Sequence, residues 1–267
     1  MHRPAARPLS SGPETVSLLS ADPDLGALLS PERRREAEAD LVVRASRLAP
    51  GTWDVASLAG TGTGQVGLLV LDGVIWREVA IAGQLSAELL GPGDLLRPWQ
   101  FEARDSLLPV THAYTVLAST TLALLDARFA RHQMTRWPEI TTLLLERLTE
   151  RSLRLATAQA ISQLTRVDRR IAALLWHLAE RWGRVSGDGV VVPLALTHRM
   201  LGELVGARRP TVSTALAALT ARGEVARRPD GTWLLRGQPE GLGEPRPPRQ
   251  LGAEAPAPTP FVEAAGG

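Results

Sequence analysis

Short polar side chains and one arginine form a stretch whose chemistry suits the reading of base edges. Arg209 is followed by Pro210, Thr211, Ser213 and Thr214. An arginine can donate two hydrogen bonds to a guanine, and short side chains let a helix approach the floor of the major groove of DNA. The residue types therefore predict base reading by Arg209, Ser213 and Thr214.

Apolar spacing predicts the helix that would carry these side chains. Val212, Leu216 and Leu219 recur at i, i+4 and i+7, which defines one buried face. A preceding helix is expected to begin at Thr197, whose hydroxyl can cap it, and to end at Gly206, which permits a sharp turn. The two helices predict a helix-turn-helix.

Flanking segments extend this unit over residues 166–237. Residues 167–182 have an amphipathic helical pattern, and residues 190–196 resemble a strand. Downstream, 225–228 and 232–235 flank a Pro-Asp-Gly turn, so we predict a hairpin whose Arg227 and Arg228 reach phosphates. The order is that of a winged helix; a small α/β domain that binds a protein is the alternative.

Positive charge is concentrated in the same segment. All 30 basic residues are arginines, and residues 166–237 hold twelve of them against six acids. Residues 1–165 and 238–267 each carry a net charge of −2. Localised positive charge is expected where a polyanion such as double-stranded DNA binds.

Upstream, residues 21–135 have the pattern of a β domain. Asp72-Gly73 predicts a tight hairpin between strands 66–71 and 74–81, and Ala82-Gly83 predicts a second one. Many short strands at close spacing favour a β-roll of the jelly-roll type. We interpret residues 1–20 as a disordered N-terminus and the proline-rich residues 238–267 as a disordered tail.

A long helix is predicted between the two domains, within residues 136–165. Pro138 suits its first turn, and an apolar stripe runs from Ile140 through Leu144, Leu148 and Leu155, with Arg151 interrupting it. The stripe fits either a core helix or a helix that pairs with its own copy in a homodimer.

Composition and residue spacing argue against several other classes. The chain has no cysteine, which excludes disulfides and cysteine-ligated zinc or iron–sulfur clusters. No paired metal-ligand spacing and no catalytic cluster is recognisable, so we predict no metal and no enzyme. His112 and His132 are candidates for haem ligation, but a lone histidine is usually structural, so no cofactor is expected. No signal peptide or membrane span is recognisable, and a cytoplasmic location is expected.

The stretch from Leu196 to Leu216, LTHRMLGELVGARRPTVSTAL, resembles the helix-turn-helix of the Crp/Fnr regulator family. The resemblance implies an α+β protein with an N-terminal β-roll sensor, a long dimerisation helix and a C-terminal winged helix-turn-helix. It also implies a homodimer on double-stranded DNA, with RNA polymerase as a further partner. Arg209 occupies the family's guanine-reading place. Pro210 and Thr214 stand where the catabolite-activator branch of the family has a Glu and a further Arg, which makes them candidates for base reading and implies a different target sequence. Thr197, Arg199, Arg208 and Thr211 become candidates for phosphate contact.

The sensor departs from the family's cyclic-nucleotide signature. Asp94 follows Gly93 near the place of the family's Gly-Glu pair, but Val110-Thr111-His112 supplies no arginine for a cyclic phosphate. We therefore predict no tight binding of cAMP. An unidentified effector is assigned to a site that includes the residues Trp76, Arg97, Trp99 and Arg104.

These observations predict a sequence-specific, DNA-binding transcription regulator. Two rivals remain open: a ligand-binding β-barrel protein or enzyme whose helix-turn-helix binds a protein, and a constitutive DNA-binding protein whose sensor has lost its ligand.

Overall fold

The computed structural model describes residues 5–6, 14–55, 58, 64–102 and 107–238. The first part of the chain forms a single sheet with short helices around it. Its strands are β1 (Ala5–Ala6), β2 (Glu14–Ser17), β3 (Val42–Leu48), β4 (Gly51–Trp53), β5 (Gly67–Ile81), β6 (Gln84–Leu90), β7 (Leu95–Leu96) and β8 (Val110–Leu125). Its helices are α1 (Leu18–Ala21), a 3-10 turn (Pro23–Gly26), α2 (Pro31–Asp40), α3 (Trp99–Glu102), a π-helical turn (Phe129–Gln133) and α4 (Met134–Arg136).

Strand β8 organises this sheet because it pairs with β3, β4 and β5 at different points along its length. One surface of the sheet encloses an apolar core around Leu68, Ile75 and Val116, and the other is covered by α1, α2 and Trp137. This is the predicted β-roll.

One predicted hairpin is wrong. Asp72-Gly73 is a bulge inside the continuous strand β5, where the pairing register with β8 shifts. A Cβ at Gly73, whose φ is +92°, would lie 2.3 Å from the Thr120 hydroxyl, so the close approach of β8 requires glycine there. The hairpin at Ala82-Gly83 is confirmed, with Ile81 opposite Gln84.

The N-terminal prediction is also partly wrong. Residues 1–4 and 7–13 lie outside the described residues, but 14–20 are ordered in β2 and α1. Leu18 and Leu19 are buried beneath the sheet, and apolar burial of that kind holds a segment in place. Residues 239–267 of the predicted tail lie outside the described residues.

The second part begins with the long helix and ends in a winged helix-turn-helix. Its elements are α5 (Pro138–Ser162), α6 (Val167–Trp182), β9 (Arg184–Ser186), β10 (Gly189–Val192), α7 (His198–Val205), α8 (Arg209–Ala221), β11 (Val225–Arg227) and β12 (Trp233–Leu235). The last four strands form a sheet in the order β11-β12-β10-β9. The predicted α+β architecture is confirmed, whereas the domain boundaries stay predictions.

A shared apolar core joins the two parts. Trp76 and Leu89 of the β5–β6 hairpin pack into the cluster that contains Ile171, Leu175 and Leu201 of the winged helix domain. Helix α7 and strand β6 are therefore in contact. No helix among the described residues is long and apolar enough to cross a membrane.

Candidate nucleic-acid interface

The two helices of the helix-turn-helix are fixed to each other by a tight turn. The hydroxyl of Thr197 accepts a hydrogen bond from Met200 N at 3.2 Å, which confirms the predicted N-cap of α7. Gly206 ends α7 in the left-handed region, at φ +66°. A Cβ at Gly202 would lie 2.4 Å from the carbonyl oxygen of Ala207, so the chain can return across α7 only over a glycine.

Helix α8 buries its apolar face and exposes its polar one. Val212 and Leu219 are fully buried and Leu216 nearly so, and they lock α8 onto α6 and α7. The opposite side remains open to solvent. Its exposed residues are Arg208, Arg209, Pro210, Thr211, Thr214 and Ala217. No other part of the described chain covers this side of α8, so it is accessible to the major groove of DNA.

The predicted base-reading residues lie together on that face, with one qualification. Arg209 and Pro210 form its first turn, and the Thr214 hydroxyl donates to Pro210 O at 3.3 Å, which leaves its lone pairs free. Ser213 is half-buried, and its hydroxyl donates to Arg209 O and contacts His198 Nδ1 at 2.9 Å. Ser213 is thus engaged within the protein before any base approaches.

His198 is a residue of this face that sequence reasoning missed. Burial, with Arg227 and Arg209 nearby, lowers the pKa of its imidazole. Its ring lies 6.4 Å from that of the buried Trp233, measured between centroids. The sequence did contain a signal for it: His198 directly follows the predicted N-cap Thr197, so it lies in the first turn of α7.

Charge on the face is mostly unopposed. Within the described part of the chain, no carboxylate forms an ion pair with Arg208, Arg209 or Arg227. Arg199 differs, because its Nε lies 2.7 Å from a carboxylate oxygen of Glu203. Among the described residues, Arg199 is thus the one predicted phosphate-contacting arginine in an ion pair, since Arg228 also has none.

The wing is built as predicted. β11 pairs with β12, Gly231 has φ +84°, and the carboxylate of Asp230 accepts hydrogen bonds from Thr232 N and Oγ1. Arg227 and Arg228 are both exposed beside this turn. The guanidinium of Arg227 lies 5.8 Å from the centroid of the Trp233 ring. The hairpin thus places two guanidinium groups beyond the end of the helix-turn-helix.

Arginines also mark the junction between the sheet domain and the helices, but there they are paired. The inner face of α5 carries Arg147, Arg151 and Arg154, which bind Asp22, Glu88 and Asp94 respectively. The predicted stripe is corrected accordingly. Leu148 and Leu155 are 40% and 41% exposed and lie outside this inner face.

Asp94 is the centre of the junction. It is 3% exposed, and its oxygens accept hydrogen bonds from Gly91 N at 2.9 Å, from Arg154 Nη2 at 2.7 Å and from Arg181 Nη1 at 2.7 Å. Arg181 belongs to α6, so one carboxylate joins a sensor turn, the long helix and the DNA-binding domain. A residue near the family's nucleotide-binding position is thereby occupied by the protein's own arginines.

The predicted effector residues are not brought together. Trp76 lies in the core that joins the domains, whereas Trp99 packs on the inner core of the roll. The exposed Arg97 donates to Gln65 O at 3.2 Å, and Arg104 lies outside the described residues. Trp76 and Trp99 therefore belong to different parts of the molecule, and a site shared by them is not formed.

The haem candidates also lie apart. The half-buried His112 is on β8, where burial and Arg77 lower its pKa, and the exposed His132 is on the π-helical turn. Among the described residues, no group of three or more potential ligands could hold a metal ion. The expectation of no cofactor stays a prediction.

A β-roll, a long helix and a winged helix with an exposed basic reading face define the class of two-domain regulators. The family model of the Crp-like helix-turn-helix domain matches residues 169–242. A regulatory protein named CysR from Synechococcus elongatus is 31% identical over 173 residues, which cover 63% of this chain and 72% of that protein. The chain therefore belongs to the Crp/Fnr family.

Further comparisons agree with this assignment. A CRP-like cAMP-activated global transcriptional regulator from Mycobacterium tuberculosis is 34% identical over 115 residues, or 43% of this chain; the chain thus spans about half the length (51%) of that relative. A cyclic nucleotide-binding domain protein from Listeria monocytogenes has the same fold, with 17% identity, a TM-score of 0.58 and coverage of 80% and 96% of the two chains. A mutant of CooA from Carboxydothermus hydrogenoformans also has this fold, with 18% sequence identity and a TM-score of 0.56. The match covers 84% of this chain and 93% of that one. The two sequence relatives, CysR and the Mycobacterium tuberculosis protein, are regulators and not enzymes, as predicted for this chain.

Proposed function

We propose that this chain is a sequence-specific DNA-binding transcription regulator that works as a homodimer. One observation carries the proposal: α8 offers Arg209 and small polar residues on an exposed face, with Arg208 beside them and no carboxylate of the described residues paired to either. Phosphate contacts would position the domain, and contacts to base edges would supply the specificity. A regulator of this kind works at the chromosome, so the proposal requires a cytoplasmic location.

The test of DNA reading is a mobility-shift assay on a specific and a random duplex. Arg209→Ala should reduce the preference for the specific duplex about tenfold to a hundredfold, because one bidentate guanine contact is lost. The matched control is Arg184→Ala, an exposed arginine of β9 on the sheet edge opposite the wing. Unchanged discrimination by Arg209→Ala would refute the assignment.

The homodimer is supported by the outer face of α5. Leu145, Leu148 and Leu155 are 59%, 40% and 41% exposed, and with Ser152 they repeat at the three- and four-residue spacing of a coiled-coil seam. A second copy of the same helix, related by a two-fold axis, would place these leucines against each other. In that arrangement two recognition helices would enter successive major grooves, about 34 Å apart.

Sedimentation analysis tests the dimer. The double substitution Leu145→Glu and Leu148→Glu should give monomers, because buried like charges would face each other across the axis. Leu28→Glu, at another leucine that is 52% exposed, is the control and should leave the mass unchanged. A wild-type monomer at micromolar concentration would contradict the proposal. RNA polymerase as a further partner stays a prediction.

The sensor is proposed to hold no cAMP tightly. Two features support this: Asp94 is already engaged by Arg154 and Arg181, and no arginine stands at Val110-Thr111-His112 at the start of β8. An effector of this regulator would shift the balance between arrangements of the helix pair. Calorimetric titration that gives a cAMP dissociation constant of about 10 μM or tighter would overturn this part.

A further inference from the structure

A cavity of about 510 Å³ lies in the winged helix domain, at the end of α8 that is remote from Arg209. We call it the back cavity. Its wall includes Leu219 from the last turn of α8 and the C-cap residue Arg222. Residues from α6, from the start of β11 and from the segment after β12 complete it. Because α8 spans about 20 Å, the back cavity and the DNA-reading face are separate surfaces.

Charge in the back cavity is unbalanced. Four arginines and two acids line it: Arg166, Arg169, Arg222, Arg236, Asp168 and Glu224. Both acids are already used, since Asp168 accepts from Arg166 at 2.8 and 3.1 Å and from Arg222, while Glu224 pairs with Arg222. Among the described residues, no carboxylate forms an ion pair with Arg169 or Arg236. Two guanidinium groups are therefore left to bind an external anion.

The rest of the wall is suited to a flat ring. The half-buried Trp176 of α6 faces the cavity together with the buried Leu219 and Val225. An indole offers an apolar face on which a planar ring can stack. The cavity volume lies in the range of about 300–1,000 Å³ that is usual for small-molecule sites.

From these features we propose that the back cavity binds a phosphate monoester of a planar ring, such as a nucleoside monophosphate. A phosphate monoester carries a charge of about −1.5 to −2 at neutral pH, which matches the two unpaired guanidinium groups. Arginine binds phosphate oxygens through paired hydrogen bonds, and Trp176 would hold the ring. A ligand that carries a single carboxylate, with a charge of about −1, would neutralise only one of the two guanidinium groups.

Calorimetric titration of the full-length chain with adenosine 5′-monophosphate tests the proposal. Binding should be tighter than about 1 mM, and adenosine and inorganic phosphate, which each lack one half of the ligand, should bind at least tenfold more weakly. Absence of binding at that concentration overturns the proposal. Equal binding of phosphate alone also overturns it, because the ring would then contribute nothing.

Two variants locate the ligand. Arg169→Ala with Arg236→Ala should weaken nucleotide binding at least tenfold, whereas the control pair Arg128→Ala with Arg184→Ala, at exposed arginines outside the cavity, should not. Independently, Trp176→Phe should lose most of the quenching of tryptophan fluorescence by the nucleotide. Unchanged nucleotide binding by the Arg169 and Arg236 double variant would place the nucleotide elsewhere and refute the proposal. Unchanged quenching in Trp176→Phe would refute it as well.

The same preparations separate this inference from the proposed DNA binding. The Arg169 and Arg236 double variant should retain the mobility shift of the specific duplex, because Arg209 and the wing are unchanged. Loss of nucleotide binding with normal DNA binding is the expected result. A wild-type protein that binds the nucleotide but no DNA would refute the regulator and leave the back cavity as proposed.

Discussion

The arginines of the domain junction and those of the DNA-reading face have opposite environments. At the junction, the side chains of Arg147, Arg151 and Arg181 are between 13% and 18% exposed, and each binds a carboxylate. On the reading face, Arg208 and Arg209 are exposed and have no such partner among the described residues. Arginine therefore stabilises the domain junction where a carboxylate balances its charge, and it remains available to bind DNA where no carboxylate does.

The largest effect is expected from Asp94→Asn. This change leaves Arg154 and Arg181 without their shared carboxylate, and removal of one partner from a buried charge cluster costs about 3 kcal/mol of unfolding free energy. Urea denaturation measures the loss. Asp72→Asn, at an exposed position in the β5 bulge, should stay within about 0.5 kcal/mol of the wild type. Equal stabilities of the two variants would remove the distinction between the regions.

Arg208→Ala should show the reverse behaviour. The stability of this variant should change by less than about 0.5 kcal/mol, because Arg208 forms no ion pair with any carboxylate that the structure describes. Its DNA affinity should fall similarly on specific and random duplexes, and the slope of log K against log salt should decrease in magnitude by about 0.9. Fluorescence anisotropy at several salt concentrations provides both quantities. A purely sequence-dependent loss would make Arg208 a base reader instead.

Arg199 is an intermediate case that sharpens the comparison. Glu203→Gln should release Arg199 from its ion pair, and DNA should then bind about two- to fivefold more tightly because the freed charge meets phosphate. The loss of a helix pair of this spacing should cost only about 0.3–0.5 kcal/mol of stability. The double variant Arg199→Ala with Glu203→Gln is the control and should show no gain in affinity.

The smallest effect concerns His198 and pH. Its pKa is lowered in the folded protein by burial and by Arg227 and Arg209, so the unfolded chain binds the proton more readily. Stability from this group is therefore full above about pH 6.5 and falls as the pH drops through the lowered value. DNA phosphates would oppose the arginines and favour the protonated ring, so DNA affinity should rise slightly between pH 7.5 and about 5.5. His198→Gln should abolish that rise.

Local pattern predicted the winged helix domain well because its signals are local. The period of Val212, Leu216 and Leu219, the cap at Thr197 and the turn at Gly206 each concern residues a few positions apart, and all were found in place. The ion pairs of the α5 arginines were not predicted, because their partners are 60 to 125 residues away in the chain. Asp72-Gly73 failed because the dipeptide fits a hairpin and a bulge equally, and the distant strand β8 decides between them.

The predicted effector residues show the same limit. Trp76 and Trp99 were grouped because both lie in the sensor sequence, but Trp76 on β5 and Trp99 at the start of α3 pack against different cores. Residue type alone gives no direction for a side chain when the register of the strand is unknown.

Gly91 makes the contact between the sheet domain and helix α6 stiff. A methyl group there would lie 3.1 Å from the indole of Trp182, so the bare backbone of the sensor turn rests directly against the last residue of α6. No soft side chain separates the two domains at that point to absorb a displacement. If the turn at Gly91 moved toward α6 by the width of one methyl group, it would displace the indole of Trp182. Helix α6, which packs against the recognition helix α8, would then move with it.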